Sequence, residues 1–196
     1  MLYSTPELDV SELDALARID ELRASLSRQI HEPRRWTGSL RRMTFARNIQ
    51  GSNSIEGFVA ALDDADAVAL REDPFDAATE TRLALEGYRN AMTYVLQLAQ
   101  EPELTISTDT IKSLHFMMTS YELSNFPGRW RPGAIYIHNE ATNELVYEGA
   151  EVELVPALMT ELAEEINHNE EVSPIIKGAM AHLNLVMIHP FHDGNG

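Results

Sequence analysis

An all-α helical bundle carrying one small β-hairpin flap is the fold class that this 196-residue sequence predicts. Apolar residues recur at three- and four-residue steps over most of the chain, and a single Pro- and Gly-punctuated stretch reads as strands instead. Composition supports a folded chain, since 44% of residues are hydrophobic, 23% are charged, and Gly and Pro number only 10 and 9. A chain of this length buries about 70% of its unfolded surface, enough for a core without covalent staples.

The first helix is expected over 10–30, where Leu13, Leu16, Ile19, Leu22, Leu26 and Ile30 share a face, Ser11 can cap the start, and His31-Glu32-Pro33 ends it. A second runs from about Arg34 to Ile49, with Gly51-Ser52-Asn53-Ser54 interrupting it before Ile55-Glu56-Gly57. Alanine-rich 59–71 and the stretch 76–100, with Leu83, Leu85, Tyr88, Met92, Val95, Leu96 and Leu98, read as two more helices. Thr108 to Tyr121 follows, with Ile111, Leu114, Met118 and Tyr121 on one side. Residues 126–147, FPGRWRPGAIYIHNEATNELVY, hold strand-like segments at 134–137 and 145–147 around a polar turn at 139–143. A lone hairpin is marginal, so it should lean on the helices. The last helices are expected over 153–167 and 174–188, the second with Ser173 as cap and Pro174 at its first position.

Charge excludes some functions. With 31 acidic and 15 basic residues the net charge is −16, a poor match to duplex nucleic acid. The imbalance is uneven: residues 1–50 carry eight arginines against seven acids, which leaves 24 acids and seven bases beyond them. An anion site in the acidic part must therefore be built locally. Zero cysteines exclude thiolate metal sites and a cysteine nucleophile. The start, MLYSTPELDVS, lacks a signal-peptide pattern, and no 18 apolar residues run together, so the expected location is the cytoplasm, with no membrane contact.

The chemistry concentrates in the last eight residues, His189-Pro190-Phe191-His192-Asp193-Gly194-Asn195-Gly196. Pro190 disfavours helix at His189, so the imidazole should stand at the head of a loop, where an ordinary pKa near 6.5 suits a general base. Gly194 and Gly196 allow backbone N–H groups to converge on an anion, and Asn195 can hydrogen-bond there. Asp193 offers the hard oxygen that Mg²⁺ uses together with substrate phosphates. A glycine-rich loop after a helix is also what a plain turn looks like, so residue chemistry alone leaves both readings open. Pairing His192 with Asp193 as a metal phosphohydrolase site is disfavoured, because Gly194-Asn195-Gly196 would break the helix such a pair needs.

The octapeptide resembles the signature of the Fic family, His-Pro-Phe-x-(Asp/Glu)-Gly-Asn-(Gly/Lys)-x-x-Arg, and matches every specified position as far as Gly196. Ala179-Met180-Ala181-His182 and Ile188 before it, and Gly128-x-Trp130-Arg131 at the head of the hairpin, agree with that family. Ser52-Asn53-Ser54-Ile55-Glu56-Gly57 is similar to its inhibitory helix motif, (Ser/Thr)-x-x-x-Glu-(Gly/Asn). Read on its own, Asn53 to Glu56 also fits a capping pattern at a helix start.

The resemblance implies a Fic-type bundle: an N-terminal helical region, 1–57, bearing the inhibitory motif, and a Fic domain, 58–196, cut inside its signature. It implies a protein adenylyltransferase that moves AMP from ATP onto a Ser, Thr or Tyr hydroxyl of a target protein, the chain itself included, with release of pyrophosphate. His189 is then the base, Asp193 the Mg²⁺ ligand, and Gly194, Asn195 and Gly196 the nucleotide and anion site. Ser52, Glu56 and Gly57 are inhibitory. Gly128, Trp130, Arg131, Ile135, Tyr136 and Ile137 form the flap that docks the target. Phe191 anchors the loop, and His115 and His182 read as packing. The signature's arginine would fall beyond Gly196, so the 196 residues alone are expected to transfer weakly or not at all. Transfer of another phosphate-containing group, removal of AMP, or a silent binding module are the alternatives, and an oligomer is compatible with all of them.

Overall fold

Helical periodicity becomes seven α-helices among the residues that the computed structural model describes, namely 2–30, 35–72, 79–139, 142, 144–168 and 172–195. The His31-Glu32-Pro33 break, Arg34 and Gly196 lie outside the described residues. In chain order the helices are α1 (Val10–Ile30), α2 (Arg35–Ile55), α3 (Leu62–Ala69), α4 (Thr79–Leu98), α5 (Thr108–Thr119), α6 (Val155–His168) and α7 (Pro174–Ile188). Between α5 and α6 lies the hairpin, β1 (Tyr136–His138) and β2 (Leu145–Glu148), antiparallel with Tyr136 opposite Glu148 and an irregularity between Ile137 and His138.

Helix ends depart from expectation in instructive ways. Asp9, not Ser11, caps α1. Its Oδ1 accepts the Glu12 N–H at 2.9 Å while Glu12 Oε2 accepts the Asp9 N–H at 2.8 Å, a reciprocal box that a carboxylate at each end completes. Ser173 precedes α7 without a side-chain capping bond, so Pro174 at the first position does the work of starting that helix.

The Gly51-Ser52-Asn53-Ser54 cluster does not interrupt α2. Asn53 donates to the Ile49 carbonyl at 2.8 Å and Ser54 to the Gly51 carbonyl at 2.7 Å, so these polar side chains bond their own helix instead of breaking it. The helix stops at Gly57, whose φ of 85° suits glycine, with Gly57 N–H on the Ser54 carbonyl and Phe58 N–H on the Asn53 carbonyl. That pair of bonds is a Schellman ending. Asn53 to Glu56 therefore close a helix and cannot be a capping pattern at a start.

Two apolar clusters hold the fold. Ala46 and Ile49 of α2, Ala65 and Val68 of α3 and Leu85 of α4 form one, while Val155, Met159 and Leu162 of α6 with Ile188 of α7 form the other. The first spans the boundary drawn at residue 57, so packing does not separate the chain there. Helix α1 stands apart in burial, with Leu13, Leu22 and Leu26 each about half exposed.

Helices α4 and α5 join the halves through Gly87, where an added Cβ would meet the Met118 carbonyl oxygen at 2.5 Å. Backbone cannot yield as a side-chain tip can. Gly87→Ala should therefore lower stability by about 1–3 kcal/mol, although alanine is the better helix former by about 1 kcal/mol. Urea denaturation checks it, and a midpoint at or above the wild-type value would refute the close approach.

Candidate active site at the end of the seventh helix

Helix α7 ends at Ile188, and His189 caps it in the left-handed region, φ 52° and ψ 61°, with its N–H on the Leu185 carbonyl at 2.9 Å. The helix stops where Pro190 was expected to stop it, and His189 leaves by the left-handed region. A left-handed histidine costs roughly 1–3 kcal/mol and persists only where surroundings over-determine it.

Arg131 supplies that determination. Its Nε donates to the His189 carbonyl at 2.7 Å and its N–H to the Pro190 carbonyl at 2.8 Å, while Nη1 holds the Gly133 carbonyl at 2.6 Å and Nη2 the Ala150 carbonyl. The side chain is 2% exposed, so Arg131 supports the loop from beneath and does not face a docked target. From β2, the Tyr147 hydroxyl donates to the Met187 carbonyl. Carbonyls that the last turn of α7 leaves without helical partners are thus taken up by the hairpin region.

Asn195 closes the loop. It is buried, and its amide accepts the Phe191 N–H at 2.9 Å and donates to the Phe191 carbonyl at 3.1 Å. Both ends of the side chain are committed to loop shape, which leaves one amide hydrogen beyond these two bonds. The Phe191 ring lies parallel to the His115 ring at 3.7 Å and tilted against Trp130 at 5.1 Å, with Lys112 Nζ 4.5 Å from the Trp130 ring centre. Trp130 is accordingly part of the loop's footing.

The Asp193 carboxylate is exposed and held at both oxygens, Oδ1 by the Gly194 N–H at 2.9 Å and Oδ2 by Asn125 Nδ2 at 2.8 Å. Among the described residues no three His, Asp or Glu side chains gather as a metal cage. One fixed carboxylate with free lone pairs fits Mg²⁺, which takes one or two carboxylates plus phosphate and water oxygens.

Beside Asp193 and Gly194 lies a cavity of about 60 Å³ whose far wall is the end of α2, with Ser52, Asn53 and Glu56, and whose sides include Tyr88 and Tyr121. Ser52 donates to the Tyr88 hydroxyl at 2.9 Å, tying that wall to α4. Among the described residues no lysine or arginine lines it. Burial, and then Asp193, Glu80, Glu56 and Glu122, push the Tyr121 hydroxyl up to about 12. Burial first, and the Arg131 charge as well, hold the His189 pKa below its ordinary value, while the Val186 carbonyl, Glu56 and Asp193 oppose them. Burial likewise lowers His115, against the Asp193 backbone.

Of the flap residues, Gly128 (φ 71°) packs on α5, Ile135 is half-buried, Tyr136 is 54% exposed, and Ile137 is described only through its backbone in β1. His115 and Asn125 were missed as site residues. His115 lies four residues after Ile111, on the face that α5 turns inward, which was its one legible signal. Asn125 sits in a short turn and left none.

Residues 105–196 match the Fic/DOC family. A Fic-family protein from Desulfovibrio desulfuricans is similar in fold, with a TM-score of 0.76 at 22% identity over 98% of this chain and 56% of that one. A Fic-domain-containing signaling protein from Bacteroides thetaiotaomicron gives 0.70 at 23% identity over 82% of this chain and 59% of that one. Fic-1 from C. elegans gives 0.68 at 23% identity over 96% and 60%. The chain thus spans less than two thirds of each of these relatives. No helix among the described residues is long and apolar enough to cross a membrane.

Arg131→Met keeps the apolar stem and removes the side-chain donors to three carbonyls. Stability should fall by about 3 kcal/mol, since buried carbonyls lose a charged donor. Denaturant titration measures this, and a loss under about 1 kcal/mol would show that the guanidinium is not the support of the loop.

Proposed function

We propose that the chain is the catalytic part of a protein adenylyltransferase, moving AMP from ATP to a Ser, Thr or Tyr hydroxyl of a protein. One observation carries this reading: a single loop, closed by Asn195, holds a left-handed histidine at its first residue and an exposed, oriented carboxylate at Asp193, beside a cavity. A base, a hard oxygen ligand and a nearby space are the parts that transfer to a hydroxyl requires.

His189 Nδ1 is buried, which leaves Nε2 as the ring nitrogen that can meet a substrate. Nε2 takes the proton of the target hydroxyl. The hydroxyl oxygen bonds to the α-phosphorus of ATP as the bond from that phosphorus to the bridging oxygen breaks, and pyrophosphate leaves. Asp193 would hold Mg²⁺, which when bound supplies positive charge beside the phosphates that this carboxylate-lined cavity does not. In this reading the backbone of Gly194–Gly196 stabilises charge on the transferred phosphate, with the Gly194 N–H shared with Asp193. Exposed Tyr136 marks the flap edge along which a target, or a second copy of the chain, would align.

Glu56 makes the resting state inhibited. It shares the cavity with Asp193 and Gly194, and the 60 Å³ left there falls well below the roughly 300–1,000 Å³ of small-molecule sites. Ser52 holds this wall through Tyr88, and Gly57 ends the helix so that Glu56 stays at its tip.

In the full-length protein with Mg²⁺ and ATP, Glu56→Gly should raise AMP incorporation at least about 10-fold, a gain near 1.4 kcal/mol. His189→Ala in that background should lower it at least about 100-fold. Intact-protein mass spectrometry of the chain and of a cell lysate reads both, and no change in either variant would sink the reading.

The pH profile has a fixed sign. His189 works only when neutral and its pKa is held below its ordinary value, so the rate should rise with pH, reach its plateau by about pH 7.5 and fall on the acidic side. A rate that still rises more than about 1.5-fold between pH 7 and 8 would show that another group titrates in the step.

A further inference from the structure

Where α5, the flap and the catalytic loop come together, the structure places a side chain that bonds to both of the last two. His115 is 1% exposed, with Nδ1 2.8 Å from the Gly128 backbone nitrogen and Nε2 2.8 Å from the Asp193 carbonyl oxygen. A backbone N–H only donates and a carbonyl only accepts. Nδ1 must then carry the lone pair and Nε2 the proton, and neither the opposite tautomer nor the imidazolium satisfies both partners.

Steric detail agrees with the bonding. A Cβ on Gly128 would lie 3.1 Å from Phe116 Cβ and 3.2 Å from the Lys112 carbonyl, and one on Gly194 would lie 3.0 Å from Thr119 Cγ2 and 3.5 Å from His115 Nε2. Both glycines bring backbone directly onto α5 at this histidine. The parallel Phe191 ring fixes the plane of the imidazole, and Thr119, bonded to the His115 carbonyl at 2.8 Å, flanks it.

We propose that His115 is a positioning residue that sets the Asp193 backbone and the head of the flap relative to each other, through the tautomer protonated on Nε2. It touches neither substrate nor metal. It ties the residue read as the Mg²⁺ ligand to the segment read as the target edge, and in those two roles it rests on the function proposed above. A buried histidine that merely fills space would show no dependence on which nitrogen donates.

Two near-isosteres separate the bonds. His115→Asn can present an oxygen near Nδ1 and keep the Gly128 contact while losing the donor to Asp193. His115→Gln can present an NH₂ near Nε2 and keep the Asp193 contact while losing the acceptor for Gly128. In the full-length protein carrying Glu56→Gly, which relieves the proposed inhibition, titration calorimetry with Mg²⁺-ATP reads the loop and amide hydrogen exchange over 128–138 reads the flap.

The Asn variant should weaken Mg²⁺-ATP about 10-fold with flap exchange near wild type, and the Gln variant should speed flap exchange about 10-fold with nucleotide affinity near wild type, each the loss of one buried hydrogen bond. Equal effects of both variants on both readouts, or no effect on either, would overturn the proposal. Should the variants not fold, a long-range ¹H–¹⁵N spectrum of the unsubstituted protein decides. A protonated Nε2 and bare Nδ1 support the proposal, and any other protonation overturns it. If Mg²⁺-ATP fails to bind the Glu56→Gly protein with His115 in place, the transferase reading falls, while flap exchange and the tautomer still judge His115.

Discussion

Arg131 is the interaction on which the site depends. A guanidinium buried to 2% exposure has its donors on the carbonyls of His189, Gly133 and Ala150, and its own N–H is on Pro190. The His189 and Pro190 carbonyls lie at the end of α7, where the helix dipole is negative and the last carbonyls lack helical partners, while Gly133 and Ala150 flank the hairpin, so the positive charge is stabilised by carbonyls from both sides. The same contacts make the hairpin and the loop that follows α7 one unit. Lysine could not replace it, because a single ammonium cannot reach carbonyls spread around a planar fork.

Electrostatics then decide what the site can hold. The overall charge of −16 has a local counterpart in Asp193 and Glu56, which share one cavity with no lysine or arginine among the described residues of its lining. Bare triphosphate would be repelled from such a wall. A divalent cation reverses that sign, so the acidity of the chain and the ATP-dependent reading proposed above are compatible through the metal which that proposal assigns to Asp193. The orientation comes from neutral partners, Asn125 and the Gly194 amide, which leave the carboxylate charge uncompensated.

What was legible in the sequence followed from period and punctuation. The expected spans for α1, α5 and α7 begin where the helices do, because apolar spacing and, at α7, the Pro174 signal agree there. The end of α2 was misread: serine and asparagine compete with the backbone in an isolated segment, yet here Asn53 and Ser54 return their bonds to carbonyls of the same helix. His189 and Asp193 were identifiable from chemistry. The tasks of Arg131, Asn195 and His115 were not, since each is defined by partners that are backbone atoms. A carbonyl has no residue identity, so no motif records that Arg131 meets His189 across 58 positions or that His115 meets Asp193 across 78.

Backbone recognition by side-chain amides also explains how an uncommon geometry is kept. Asn195 grips both polar atoms of Phe191, Asn184 those of Tyr3 and Asn167 those of Ile106, so the same two-pronged clamp fixes the loop, the N-terminal segment and the entry to α5. At His189 the clamp and Arg131 hold a left-handed residue from either side. The cavity wall that carries Glu56 is tied into this rigid set by a shorter route. The Schellman turn at Gly57 directs Phe58 back over the cavity, where its ring meets that of Tyr121 edge-on at 6.3 Å. Tyr121 follows directly on the helix that carries His115, so the end of α2 and the catalytic loop rest on the same element. Moving Glu56 away from Asp193 therefore requires the Phe58 and Tyr88 contacts to part, while the footing of Asp193 on His115 can stay in place.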